Sequence, residues 1–123
     1  MKKIFLVDDS TTVLMSMTDI LSRQGYSVSQ AGNGEEALQA LKALGKVDLV
    51  ITDVNMPKMN GIELIRELRK MTLYRFTPIL VLTTESQGPK RDEGKAAGAT
   101  GWLVKPVAAP DLLKVIKQVV PGA

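Results

Sequence analysis

The polar residues of this chain that could do chemistry each stand where an apolar run stops. Asp8 and Asp9 follow Ile4-Phe5-Leu6-Val7, and Asp53 follows Leu49-Val50-Ile51-Thr52. Thr83 closes Ile79-Leu80-Val81-Leu82, and Lys105 follows Gly101-Trp102-Leu103-Val104. Each alone is ordinary: a helix-start acid, a turn acid, a strand threonine, a surface lysine. Gathered at one place they make a reaction centre. Two carboxylates about 5 Å apart repel by roughly 3 kcal/mol at an effective dielectric near 20. Three crowded acids must therefore hold a proton or bind a cation. Oxygen donors without imidazole or thiolate suit a hard ion, Mg²⁺ or Mn²⁺, better than zinc. A carboxylate nucleophile, a metal, a lysine and a hydroxyl are the parts needed to receive a phosphoryl group.

The elements that must position these residues are legible in turn. Val47–Asp53 is aliphatic with no polar break at Leu49-Val50-Ile51, as in a strand covered on both faces. Pro57 and Asn60-Gly61 mark the loop behind it. Ile4–Val7 and Ile79–Thr83, opened by Pro78, read as further buried strands, and Gly101–Val104 as a short fifth one. Tyr26–Gln30 alternates like an edge strand. Between them lie amphipathic helices. Ser10 caps the first, with the stripe Val13, Leu14, Met17, Ile20 and Leu21, and Gly25 stops it. Asn33 and Glu36 resemble a capping box ahead of Ala37, Leu38, Leu41 and Leu44, before Gly45. Ile62, Ile65 and Leu68 stripe the third. Pro89–Ala97 is a weaker, polar helix and a plausible moving part. Pro110 opens the last, with Leu112, Leu113, Ile116, Val119 and Val120.

Five strand–helix units in strict alternation imply right-handed crossovers and a doubly wound, five-stranded parallel sheet with five helices. Ligands of such sheets bind beyond the carboxyl ends of the strands, where all of these polar residues fall.

Composition narrows the chemistry. The chain has 123 residues, enough for one domain with a real core, and is 45% hydrophobic. It has neither cysteine nor histidine. That excludes disulfides, thiolate or histidine zinc sites, and serine or cysteine nucleophiles paired with histidine. The net charge of +3 comes from lysines and arginines scattered among acids, which predicts a solvated surface and no nucleic-acid partner. The first apolar run is too short for a signal peptide and no run is long enough to span a bilayer. A cytoplasmic protein without membrane contact is expected.

Asp8-Asp9, Asp53 ahead of Met56-Pro57, Thr83, and Lys105-Pro106 together resemble the response-regulator receiver family, in particular its single-domain chemotaxis members of the CheY type. The resemblance covers essentially the whole chain, and its motif positions come in the family's order. It implies a flavodoxin-like strand order 2-1-3-4-5, which the sequence pattern by itself does not give. It also implies one receiver domain over residues 1–123 with no output domain.

Further implications concern the site. Asp53 would accept phosphate from a phosphohistidine of a CheA-like sensor histidine kinase, in a protein that is no enzyme beyond its own phosphorylation and dephosphorylation. Asp9, Asp53 and the backbone carbonyl of Asn55 would ligate Mg²⁺, with Mn²⁺ as an alternative, and Asp8 would assist through water. Lys105 would be the phosphate's counter-cation, pointed at it by a cis Lys105–Pro106 peptide. Thr83 and Trp102 would be the switch pair, and Asn55 and Glu85 would tune loss of the phosphate, with a possible phosphatase as partner. The signal would leave a monomer through the face of the fourth helix, fifth strand and fifth helix, toward a target such as a flagellar motor switch. The alternatives are a phosphate sink or non-chemotactic regulation.

Two departures bear on the switch. Its aromatic is Trp102 where the family mostly has Tyr or Phe, and Thr84 beside Thr83 is often smaller; both crowd the path of the aromatic inward. Other readings fare worse. An aspartyl-nucleophile, Mg-dependent phosphatase would have Asp-x-Asp after strand one, whereas Asp8-Asp9 is contiguous. A flavin or nucleotide phosphate at Ser10-Thr11-Thr12 would meet both acids without a glycine-rich cradle. A receiver-like module without phosphorylation would not need the acceptor, the acid pair and the lysine all intact.

Overall fold

The computed structural model describes residues 2–84 and 88–122. Strands β1 (Lys3–Val7), β2 (Ser27–Ala31), β3 (Leu49–Thr52), β4 (Ile79–Thr83) and β5 (Gly101–Val104) alternate with helices α1 (Thr11–Arg23), α2 (Gly34–Leu44), α3 (Gly61–Lys70), α4 (Gly88–Ala97) and α5 (Ala109–Val119). The strands form one sheet in the order β2-β1-β3-β4-β5, parallel throughout.

Alternation along each central strand explains why these runs have no polar break: successive side chains enter two different cores. Phe5, Val7, Val50, Ile79 and Val81 pack with Ala37 and Leu41 of α2 and Ile62, Ile65 and Leu68 of α3. Ile4, Leu6, Leu49, Ile51, Leu80 and Leu82 pack with Met17 and Leu21 of α1 and Leu112 and Ile116 of α5. The predicted stripes hold with two adjustments. Leu44 is 47% exposed, because it is the last residue of α2 and lies beyond the packed turn that ends at Leu41. Ile20 stands at the margin of its stripe, half-buried. On β2 the outward edge position leaves only Ala31 buried.

Caps fix where the helices begin. The Ser10 hydroxyl accepts from the Val13 amide at 3.3 Å, and Asn33 accepts from the Glu36 amide at 2.9 Å. Glu36 reaches the Gly32 amide at 3.4 Å instead of closing a reciprocal box on Asn33. The reciprocal box belongs to α3. There Asn60 accepts from the Glu63 amide at 2.9 Å and the Glu63 carboxylate accepts from the Asn60 amide at 3.1 Å. Asn60-Gly61, expected as a turn, is thus the cap and first residue of α3.

Two side chains brace the end of the sheet away from the acids. Tyr74 is fully buried in a one-turn 3-10 helix (Thr72–Tyr74), and its hydroxyl hydrogen is shared between the carbonyls of Leu41 and Gly45. Arg69 donates from Nη1 to the carbonyls of Tyr74 at 2.7 Å and Thr77 at 2.6 Å, and from Nη2 to that of Gly98 at 2.8 Å. Burial lowers its guanidinium pKa, yet arginine stays charged in any accessible range. Among the described residues no helix is long and apolar enough to cross a membrane.

Candidate functional site

Asp53 is the first residue past β3, and its backbone is held on every side. Its amide donates to the Val7 carbonyl of β1 at 2.9 Å, and the Thr52 hydroxyl donates to its carbonyl at 2.9 Å. A β-carbon at Gly61 would stand 2.0 Å from that same carbonyl oxygen, so only glycine lets the start of α3 approach so closely. The carboxylate is oriented as well: Oδ1 accepts from the Val54 amide at 2.7 Å, which leaves Oδ2 facing the cleft.

Asp8 hangs from the edge strand through its amide, which donates to Ala31 at 3.2 Å, and its Oδ1 accepts from the Ser10 amide at 2.9 Å. Asp8 and Asp53 are only 5% and 8% exposed, whereas Asp9 is open to solvent. Carboxylate oxygens of Asp8, Asp9 and Asp53 all lie within 4.8 Å of one another. At that separation two full charges repel by about 3 kcal/mol at an effective dielectric near 20. The set is all-oxygen, half-open to water and excess in negative charge, so it fits a hard divalent ion that keeps waters of its own.

Lys105 answers part of this charge. Its amide donates to the Thr83 carbonyl at 2.8 Å, continuing the β4–β5 ladder by one residue, and the Lys105–Pro106 peptide is cis. Its Nζ lies 2.6 Å from Asp8 Oδ2 and 3.3 Å from Asp53 Oδ2. Burial pulls the ammonium pKa down, but the Asp8 hydrogen bond and the charges of Asp53 and Asp8 together outweigh it, and the net shift is upward.

The other expected site residues are distributed around this centre. Thr83 is fully buried at the carboxyl end of β4. Asn55 is exposed in the loop two residues beyond Asp53, and Lys58 in the same loop takes a left-handed φ of 68°. Thr84 is exposed at the surface. Trp102 is half-buried on β5 and packs against the α2–α3 core. Glu85 lies outside the described residues. Sequence reasoning missed the supports: the Val54 and Ser10 amides, which any residue would supply, and Gly61, whose signal was the Asn-Gly pair read as a turn. It also missed Gly94 of α4, where a β-carbon would meet the Trp102 ring.

Comparison with known proteins agrees with this geometry. The response regulator receiver domain profile matches residues 4–117. Protein PilH of Pseudomonas aeruginosa is 37% identical over 122 residues, spanning 99% of this chain and 100% of that protein. Chemotaxis protein CheY1 of Helicobacter pylori is 37% identical over 121 residues, 98% of this chain and 97% of its own length. The solved structure of Vibrio cholerae chemotaxis protein CheY4 superposes with a TM-score of 0.92 at 45% identity, covering 98% of this chain and 99% of that one. By fold, by sequence and by the acids at the ends of β1 and β3, this chain belongs to the response regulator receiver domains of two-component signalling, in their CheY-like form.

Proposed function

We propose that residues 1–123 act as one chemotaxis-type receiver in which Asp53 is the phosphoryl acceptor. The observation that carries this reading is the Asp53 carboxylate itself: nearly buried, oriented by the Val54 amide, and flanked by two acids and the Lys105 ammonium. A carboxylate oxygen of Asp53 attacks the phosphorus of a sensor kinase phosphohistidine. An O–P bond forms as the N–P bond breaks, and the electron pair leaves on the imidazole, which regains its proton from water. The phosphoryl group is lost in a separate step, hydrolysis: water attacks phosphorus, the Asp53 O–P bond breaks and inorganic phosphate leaves. Both steps are the protein's own, and Asn55 and Glu85 set how readily the phosphate is lost.

Asp9, Asp53 and the Asn55 carbonyl would hold Mg²⁺, with Mn²⁺ as a substitute and Asp8 acting through water; the ion supplies charge neutralisation for the transferring phosphoryl group. Lys105 exchanges part of its contact with the Asp53 carboxylate for a phosphoryl oxygen. Thr83 donates its hydroxyl to another, and the movement reaches Trp102. On the outer surface Trp102 shares a groove of about 250 Å³ with Arg91 and Lys95 of α4, which supports the α4–β5 part of the α4-β5-α5 face as the output surface. The chemotaxis names of the relatives support a CheA-like kinase and a motor-switch-like target.

The test is phosphorylation by acetyl phosphate with Mg²⁺, read as a single hydroxylamine-sensitive adduct. Asp53→Asn should take up none. Uptake by Asp53→Asn at the parent rate rules the assignment out.

A further inference from the structure

The strands are parallel, so the acids at their carboxyl ends have a counterpart surface at the amino ends. There a groove of about 440 Å³ is bounded by the residues that lead into β1, β3 and β4 and by the close of α5. It has an apolar wall. The chain contains two phenylalanines; Phe5 is 1% exposed in the core, whereas Phe76 is 89% exposed. Leu73, on the same groove, is 47% exposed, and Val47 and Val120 form its buried floor. Single exposed apolar residues are common, but two large ones lining one concavity are the mark of a binding surface.

Charge gives the occupant. Lys2 and Lys46 border the groove, and neither makes an ion pair among the described residues. The acid of the groove, Asp48, is already engaged, its Oδ2 accepting from the Lys3 amide at 2.8 Å. We infer that this groove docks an acidic amphipathic peptide segment of a partner protein. Its apolar side chains cover Leu73 and Phe76, and its carboxylates meet Lys2 and Lys46. A second copy of this chain is the poorer match, because both surfaces would carry the lysines and the chain has a net charge of +3. Nucleic acid is poorer as well, since two lysines beside an aspartate give no track of cations for a phosphate backbone. The site is remote from Asp53, so a partner can hold the protein there while phosphoryl transfer proceeds at the other end. The inference stands independently of phosphoryl acceptance.

The experiment uses the whole chain labelled with ¹⁵N and a capped synthetic peptide alternating Leu or Phe with Glu, followed by amide shifts on titration. Controls are the same peptide with Lys for Glu, an oligothymidylate, and sedimentation without additions. Shifts gathered at Lys2, Lys46, Val47, Leu73 and Phe76 are expected. Phe76→Ser and Lys46→Glu should each weaken binding about tenfold or more, as loss of an anchor does, with melting temperature and acetyl phosphate uptake unchanged. The proposal is overturned if the Lys peptide or the oligothymidylate binds the groove as tightly as the Glu peptide. It is equally overturned by shifts centred elsewhere, by no shifts at millimolar peptide, or by a dimer that Phe76→Ser dissociates.

Discussion

Gly94 of α4 faces the edge of the Trp102 ring, so close that a β-carbon there would stand 2.6 Å from Cζ3 and 3.1 Å from Cε3. The edge of the β5 indole therefore abuts the backbone of the helix next to it. Any inward turn of this large ring changes what α4 rests on. Gly94→Ala sets two effects against each other: about 1 kcal/mol of gained helix propensity and about 1–3 kcal/mol of overpacking. The net loss of stability should be about 0–2 kcal/mol, while the ring must move. Trp102 is the sole tryptophan, so its emission is expected to shift to longer wavelength in Gly94→Ala. Emission identical to the parent's would mean that α4 yields instead of the ring.

Lys105 is the only cation seen among Asp8, Asp9 and Asp53 in the described residues, and 17% of its side chain is exposed. Lys105→Met leaves the acids facing one another without it. In metal-free buffer this variant is expected to lose about 1–3 kcal/mol, below the range for a fully buried pair because Lys105 is partly solvated. Mg²⁺ should stabilise parent and variant alike, by about 2.7 kcal/mol at a hundred times its dissociation constant. Denaturant unfolding with and without Mg²⁺ checks both figures, and indifference to Mg²⁺ in both proteins would exclude the metal site.

The same pair sets an alkaline limit. The folded-state pKa of Lys105 is raised above its ordinary 10.5, so the folded protein keeps a proton that the unfolded chain has begun to release. Its contribution is complete below about pH 10.5 and is lost as pH climbs through the folded value. Tyr74, raised from 10.0 by burial, acts in the same direction. The difference between parent and Lys105→Met isolates the lysine: their stabilities should converge as pH rises above 10.5 in metal-free buffer. A constant difference across that window would show that the ion pair contributes nothing.

Fold and site differed in how much of them the sequence disclosed. The two-sided cores at Phe5 and Leu6, or Val50 and Ile51, announce themselves as unbroken apolar runs. The acids, threonine and lysine at the strand ends follow from that topology alone. Strand order did not, because alternation of strands and helices is compatible with several orders. Contacts made through backbone were invisible too. Arg69 is one of five arginines until loops from both sides of β4 fold onto it. Gly94 carries no sign of the indole beside it, since the two meet only through the packing of α4 on β5. Leu44 kept the helical spacing but ran past the end of the core.

Lys58 holds a left-handed φ of 68° in the loop behind Asp53, and its side chain is exposed. For a residue with a β-carbon this conformation costs about 1–2 kcal/mol, against less than about 1 kcal/mol of added unfolded-state entropy for glycine. Lys58→Gly is expected to stabilise the protein by about 0.5–1 kcal/mol, raising the melting temperature by roughly 2–4 °C. No gain in melting temperature would mean that the lysine stem makes up the strain by packing on the loop.

Thr83 is where a charge on Asp53 should first be felt. It is fully buried, at the end of the strand next to Asp53, and its backbone carbonyl holds the amide of Lys105. A phosphoryl group brings nearly two negative charges to that spot. A charge-assisted bond from the Thr83 hydroxyl is worth about 1.5–3 kcal/mol, enough to shift a two-state ratio by roughly ten- to a hundredfold. Drawing the hydroxyl toward phosphate opens space on the Trp102 side, and the edge of Trp102 abuts Gly94, so its response carries α4 with it. Thr84, beside it, is exposed at the surface. Thr83→Ala keeps Asp53, the acids and Lys105. It is expected to take up phosphate from acetyl phosphate within a few-fold of the parent rate, as a residue outside the transfer itself should. Its Trp102 fluorescence change on phosphorylation should be weakened about tenfold or more, and Thr83→Ser, which restores the hydroxyl, should recover most of it. If Thr83→Ala reports phosphorylation through Trp102 as strongly as the parent, the hydroxyl is not the link between the two ends of the switch.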